Sequence, residues 1–254
     1  MTVKRREVQP IYENTFHRRH HRRWWVLLGL IVVALIAGFG WTQWQAHQKR
    51  QLANYPIRGV TVNQDSGYLD YQQLAKHVQF VYLQATSGAT YTDDDFSDNY
   101  SRSQGASVKV GVAHTFSFTT SANRQYRHFH TTVGQNTGTL PIMVAVNYYG
   151  KYNSSNVDMA KQGQKLKKLV SELEWYHQGV IILATQQVLT QFVRPVLPAQ
   201  DYWVTGGKLA GHSAQVKLIA YDTDGSVTQN GQSLPVVRSV FNGNQHAWQK
   251  FAAN

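Results

Sequence analysis

The sequence predicts an α/β fold, a closed (β/α) barrel shortened at its C-terminal end. Three observations point there. Apolar runs of strand length alternate with helical patterns in five or six successive units, which implies a parallel sheet covered on both faces. About 200 residues, 54–254, remain for that sheet once the N-terminus is set aside. Near the C-terminus the alternation gives way to two apolar runs on either side of Gly225, the pattern of an antiparallel ribbon. An open doubly wound sheet is the second fit. In either architecture a site belongs at the C-terminal ends of the strands.

The chain opens with a basic tail, 1–23, followed by WWVLLGLIVVALIAGFGW, residues 24–41, which carries no charge. As a helix this run spans roughly 27 Å, close to the hydrocarbon thickness of a bilayer. Trp24, Trp25, Trp41 and Trp44 sit at its two ends, where amphipathic rings prefer the interface. A cleaved signal peptide is the rival reading, but its apolar core is shorter and ends in a small-residue cleavage site, which TQWQAHQKR does not offer. The expectation is an uncleaved signal anchor. Residues 1–53 hold nine Lys/Arg against two Glu. The arginines before the helix place the N-terminus in the cytoplasm and the rest of the chain outside the cell membrane. The run HRRHHRR therefore reads as a topology signal that touches anionic lipid, and no nucleic-acid partner is expected.

Residues 42–53 read as a polar stalk, with a continuation of the helix as the other reading, and 54–254 as one compact domain. Strands are expected at 57–62, 79–86, 108–118, 140–149, 179–185 and 202–205. Helices are expected between them, at 70–78 with Asp70 as cap, 95–106, 121–134, 156–178 and 186–193. The ribbon 216–223 with 234–241 and a closing helix, 244–253, complete the chain. Cysteine is absent, which excludes disulfides, thiolate metal sites and thiol nucleophiles. No metal and no cofactor is expected. Asp93–Asp95 and Asp98 suit a solvated helix N-terminus better than a metal cage.

Read from 59 to 116, the domain resembles family 25 of the glycoside hydrolases, the Chalaropsis-type lysozymes or muramidases that cut peptidoglycan. Gly59, Val62, Leu69, Asp70, Ala85, Thr86, Gly88, Tyr91, Asp93, Phe96, Asn99, Gly111 and His114 match its opening motifs in order. Trp203, Tyr221, Gly225 and VFNG, 240–243, fit its C-terminal third, with much drift between. The resemblance implies an irregular, TIM-like barrel of eight strands with fewer helices.

The departures fall where that family keeps its acids. Thr61 stands for the first-strand Asp, Ser87 for the Glu after the second strand, Ala145 and Asn147 for the central Asp-x-Glu, and Val237 or Arg238 for the late Asp. Glycoside hydrolysis usually needs one protonated and one ionised carboxyl. Ala145 cannot titrate, and Asn147 has no dissociable proton near neutral pH. The resemblance thus implies a non-catalytic domain that holds peptidoglycan or another cell-wall glycan. The expected cleft residues are Asn63, His114, Phe116, Asn147, Tyr148, Tyr149, Trp203 and Tyr221. The alternatives are an active muramidase with displaced acids, for which Asp65, Asp201 and Asp222 are the candidates, and a scaffold for wall-synthesis or division proteins.

Overall fold

The computed structural model describes residues 15–253 apart from 154, 157, 178 and 207. The chain divides into two compact units, one up to Gln51 and one from Leu52 onward. The described residues of the first unit are helical. Helix α1 (Thr15–Ala53) runs without a break through the stretch expected as a stalk. Within it, Arg23–Gln43 is long and apolar enough to cross a membrane, with a mean hydropathy of 2.2. The expected basic tail falls outside the described residues as far as Asn14.

The second unit is a closed barrel of eight strands: β1 (Arg58–Val62), β2 (Phe80–Ser87), β4 (Lys109–Thr115), β5 (Ile142–Ala145), β6 (Val180–Thr185), β7 (Asp201–Thr205), β8 (Val216–Asp222) and β11 (Val237–Phe241). The first seven run parallel in chain order. β11 lies antiparallel between β8 and β1 and closes the ring. A two-residue strand, β3 (Tyr91–Thr92), folds back on β2.

Helices cover the outer face. α2 (Tyr71–Leu74) starts at Asp70, whose Oδ1 accepts from the amides of Gln72 at 2.9 Å and Gln73 at 3.0 Å. It is one turn long, shorter than expected. α3 (Phe96–Ser103) and α4 (Ala122–Val133) follow. α4 buries Ala122, Gln125, Phe129 and Val133, at helical spacing, against the sheet. α5 (Met159–Tyr176) likewise buries Leu166, Leu169, Val170 and Leu173. The helix expected at 186–193 is a composite: α6 (Gln186–Val188), a π-turn segment Leu189–Val193 and α7 (Arg194–Val196).

The barrel interior is packed with Phe80, Tyr82, Met143, Ile181, Trp203, Leu218 and Phe241. Tyr82 and Trp203 meet edge to face at 4.9 Å. Gly59 and Gly111 make room for these rings. A Cβ on Gly59 would lie 2.2 Å from the Phe80 ring, and one on Gly111 2.5 Å from Tyr82. Helix α8 (Gln245–Phe251) closes the N-terminal end of the barrel. Its Trp248 lies 5.4 Å from Phe80 and its Phe251 5.4 Å from Phe241. The other end is therefore the open one.

The ribbon pairing β8 with β11 is as expected, but a second hairpin interrupts it: β9 (Ser226–Gln229) and β10 (Gln232–Pro235). Its turn is Asn230-Gly231, with φ of 51° and 77°. Asn-Gly supplies two left-handed residues at little cost and is a strong hairpin signal.

Candidate active-site cleft

A cleft of about 660 Å³ opens at the C-terminal ends of the strands. Cross-strand register builds its wall. Ser87 pairs with Thr115, Thr115 with Ala145, and Ala145 with Leu183, so one inward-facing rung crosses four strands. On the far side Thr61 pairs with Val237. Thr61, Ser87, Ala145, Asn147 and Val237, five positions where the resemblance implies acids, thus line one cavity, and none carries a carboxyl, while Arg238, the other position for the late acid, borders a separate groove. β5 ends at Ala145, earlier than expected, so Asn147 stands on the loop just beyond it and is exposed.

The remaining polar lining is mostly neutral: Asn63, Ser66, Gln84, Tyr91, Thr115 and Thr223. Met143 and Leu183 supply apolar surface. Three acids are present: Asp65, Asp93 and Asp224. Asp65 and Asp224 are exposed, and Asp65 Oδ2 accepts from Asn63 Nδ2 at 3.1 Å. Asp93 is different. It is 2 % exposed, and burial, with Asp95 and Asp94 nearby, pushes its carboxyl up from the usual range. Two backbone amides pull the other way: Oδ2 accepts from Gln64 N at 2.9 Å and Oδ1 from Asp95 N at 3.2 Å. Gln64 Oε1 accepts in return from Asp94 N at 3.1 Å. Asp93 thus clamps the loop after β1 to the loop before α3. It is not the solvated cap that its sequence suggests, and its oxygens are already engaged.

Of the expected cleft residues, Asn63 and Asn147 line the cavity. The others lie elsewhere. His114 is fully buried on the opposite face of β4, because Ala113 and Thr115 take the inward positions. Its Nδ1 lies 2.8 Å from Thr86 Oγ1 and its Nε2 3.3 Å from Gln125 Oε1, with the Phe129 ring edge-on at 5.8 Å. Phe116 is buried against Phe118. Tyr148 and Tyr149 pack beside Phe118, where the Tyr149 hydroxyl accepts from the Phe118 amide at 2.9 Å. Trp203 faces inward but lies beneath the cleft, wholly covered. Tyr221 borders a separate groove on the outer wall.

Of the three substitute acids, only Asp65 reaches the cleft. Asp201 opens β7 and therefore lies at the barrel's other end, 3.6 Å from Lys217 Nζ. Asp222 is drawn to Arg238 at 3.9 Å. Sequence reasoning missed Gln84, Thr115, Asp93 and Asp224. Thr115 was within reach, since it shares a face with Ala113 by simple alternation.

The model of glycosyl hydrolases family 25 matches residues 60–217. The Escherichia coli K12 protein YegX is 30% identical over 126 residues, which cover 47% of this chain and 46% of that protein. The chain therefore matches about half the length of that relative. The autolytic lysozyme of Clostridium acetobutylicum is 32% identical over 59 residues, 23% of this chain and 18% of that protein. Among solved structures, a family 25 glycosyl hydrolase from Bacillus anthracis superposes with a TM-score of 0.70 at 24% identity, covering 78% of this chain and 94% of that one. That likeness concerns the fold. With the family model spanning more than half of its length, the chain belongs to family 25 of the glycosyl hydrolases.

Proposed function

We propose that this chain is a membrane-anchored, extracellular lysozyme-like domain that holds a cell-wall glycan, with peptidoglycan the first candidate, and does not cleave it. One observation carries the reading. The five positions where family resemblance implies acids converge on a single cleft, and all five side chains are neutral. Loss of a general acid alone costs about 10²–10⁴ in rate. Here the partner carboxylate is gone as well. Beside Asp65, Asp93 and Asp224, what remains is a lining of hydroxyls and amides, suited to hydrogen-bonding sugar hydroxyls without bond cleavage. The anchor rests on the apolar segment Arg23–Gln43 and the basic residues before it. The organisation that goes with it is a cytoplasmic tail at 1–23, a span at 24–41, a short link at 42–53 and the barrel from 54.

Two assays test this on the full chain in detergent. Sedimentation with insoluble peptidoglycan is expected to carry the protein into the pellet, and turbidity of a cell-wall suspension is expected to stay constant. Clearing of the suspension, lost in Asp65→Asn or Asp224→Asn, would establish a hydrolase with displaced acids. Absence of co-sedimentation at low salt would point to the scaffold role, with wall-synthesis or division proteins as partners.

A further inference from the structure

A second concavity, of about 280 Å³, lies on the outer wall of the barrel, between β1, α2 and the β9–β10 hairpin. It is separate from the cleft. Arg58, His77, Tyr221, Thr228 and Arg238 line it, together with apolar and amide groups, and none of its described lining residues is an Asp or Glu. β1 and β11 are antiparallel, with Arg58 opposite Val240 and Arg238 opposite Val60. Outward-facing positions on neighbouring strands thus bring the two arginines to one wall.

Both guanidinium groups are held in place. Arg58 donates from Nη2 to Leu52 O at 3.1 Å and from Nε to Tyr55 O at 3.4 Å. Arg238 donates to the Ser226 carbonyl and stands 3.9 Å from Asp222 Oδ2, a contact too long for a direct hydrogen bond. Tyr221 lies within electrostatic reach of both. Burial pushes its phenol up, Arg238 and Arg58 offset only part of that rise, and Asp222 adds to it. The groove therefore offers two fixed planar cations, a phenol, a hydroxyl and an imidazole around a space at the small end of ligand pockets.

We propose that this groove binds a phosphate group, carried by an anionic phospholipid or by a soluble phosphodiester. Guanidinium forks match the oxygen geometry of phosphate, and held forks lose less freedom on binding. The volume accommodates one phosphate with its flanking alkoxy groups and leaves no room for a glycan chain. The proposal does not depend on what fills the cleft.

Arginine footprinting tests it without altering the sequence. The full chain in neutral detergent is treated with phenylglyoxal, and modification is followed peptide by peptide. Arg124 and Arg127, exposed on α4, serve as reference sites. Saturating inorganic phosphate is expected to slow modification of Arg58 and Arg238 about tenfold, as ninefold excess over the dissociation constant implies, and to leave the references unchanged. Two further arms separate the sources. Protection in phosphatidylglycerol vesicles but not in phosphatidylcholine vesicles identifies a lipid headgroup. Protection by glycerophosphoglycerol in detergent identifies a soluble phosphodiester. Equal reactivity of Arg58 and Arg238 with and without phosphate overturns the proposal. So does protection by inorganic phosphate alone, which would mark an adventitious ion only.

Discussion

His114 makes the barrel sensitive to acid in a way that can be measured. The ring is completely buried, and burial lowers its pKa from the ordinary 6.5 to about 4. Its surroundings fix one neutral tautomer. Gln125 Nε2 donates to the carbonyls of Ser117 at 2.9 Å and Thr120 at 3.0 Å, so Gln125 must present its oxygen to the histidine. That oxygen also accepts from Ser117 N at 2.8 Å. His114 Nε2 therefore carries the hydrogen, and Nδ1 accepts from the Thr86 hydroxyl. A second proton on Nδ1 would force that hydroxyl to turn away inside a dry interior.

The sign follows from proton counting. Between pH 6.5 and about 4 the unfolded chain holds a proton on this ring that the folded chain does not. Stability from this group is whole above 6.5 and drains as pH falls towards 4. At about 1.4 kcal/mol per pH step, the loss is roughly 3 kcal/mol. Asp93 and Asp201 act in the opposite sense, because their folded pKa values are raised, chiefly by burial. The comparison must therefore be made against His114→Gln, which removes only the titration at 114. Urea unfolding of both proteins, followed by tryptophan fluorescence at pH 7.5, 6, 5 and 4, gives the slopes. The wild type is expected to lose about 3 kcal/mol more than the variant across that range. Equal losses would refute the buried neutral imidazole as the source.

Three further outcomes follow from the same structure. Trp203→Ala empties the centre of the barrel next to Phe80 and Tyr82, and is expected to cost about 3–5 kcal/mol in thermal or urea unfolding, where a loss below about 1 would contradict the packing. Asp93→Asn leaves one acceptor for two amides and is expected to cost about 1–3 kcal/mol, with faster hydrogen exchange at Gln64 and Asp95; unchanged protection there would show that the clamp is unimportant. Ala145→Asp combined with Asn147→Glu is expected to give no clearing of cell walls above background. The new carboxyl at 145 meets Met143 and Leu183, with Val237 and Thr61 where further acids would be needed, and strong clearing would mean that the cleft had kept its catalytic shape.

The fold was legible because its signals are long and repeated. Each parallel strand is buried on both faces and reads as an apolar run, and each covering helix shows one buried stripe, as in Leu166, Leu169, Val170 and Leu173 of α5. The β9–β10 hairpin lies outside the expected ribbon although Asn230-Gly231 announces it, because LPVV runs apolar across the break between β10 and β11. The site was legible only in part, for a different reason. Which loop residues reach a barrel mouth depends on register around the ring, and no single strand contains that information. A register shift between Gln84 and Thr86 on β2 puts Thr86 beside His114 on the outer face and turns Ser87 inward. An aromatic residue near a strand end, such as Tyr148, Phe116 or Trp203, has an apolar surface to bury, and here packing claims it before the cleft can. The neutral residues Thr61, Ser87, Ala145 and Asn147 carry no such demand, and only strand pairing gathers them. Their joint presence in one cavity makes the loss of acids a property of a single site, which is harder to offset than scattered changes. A hydrolase built on these positions would need several carboxyls at once, each desolvated against apolar neighbours. On the proposed reading, the same cavity holds a neutral sugar chain through the hydroxyls and amides already there.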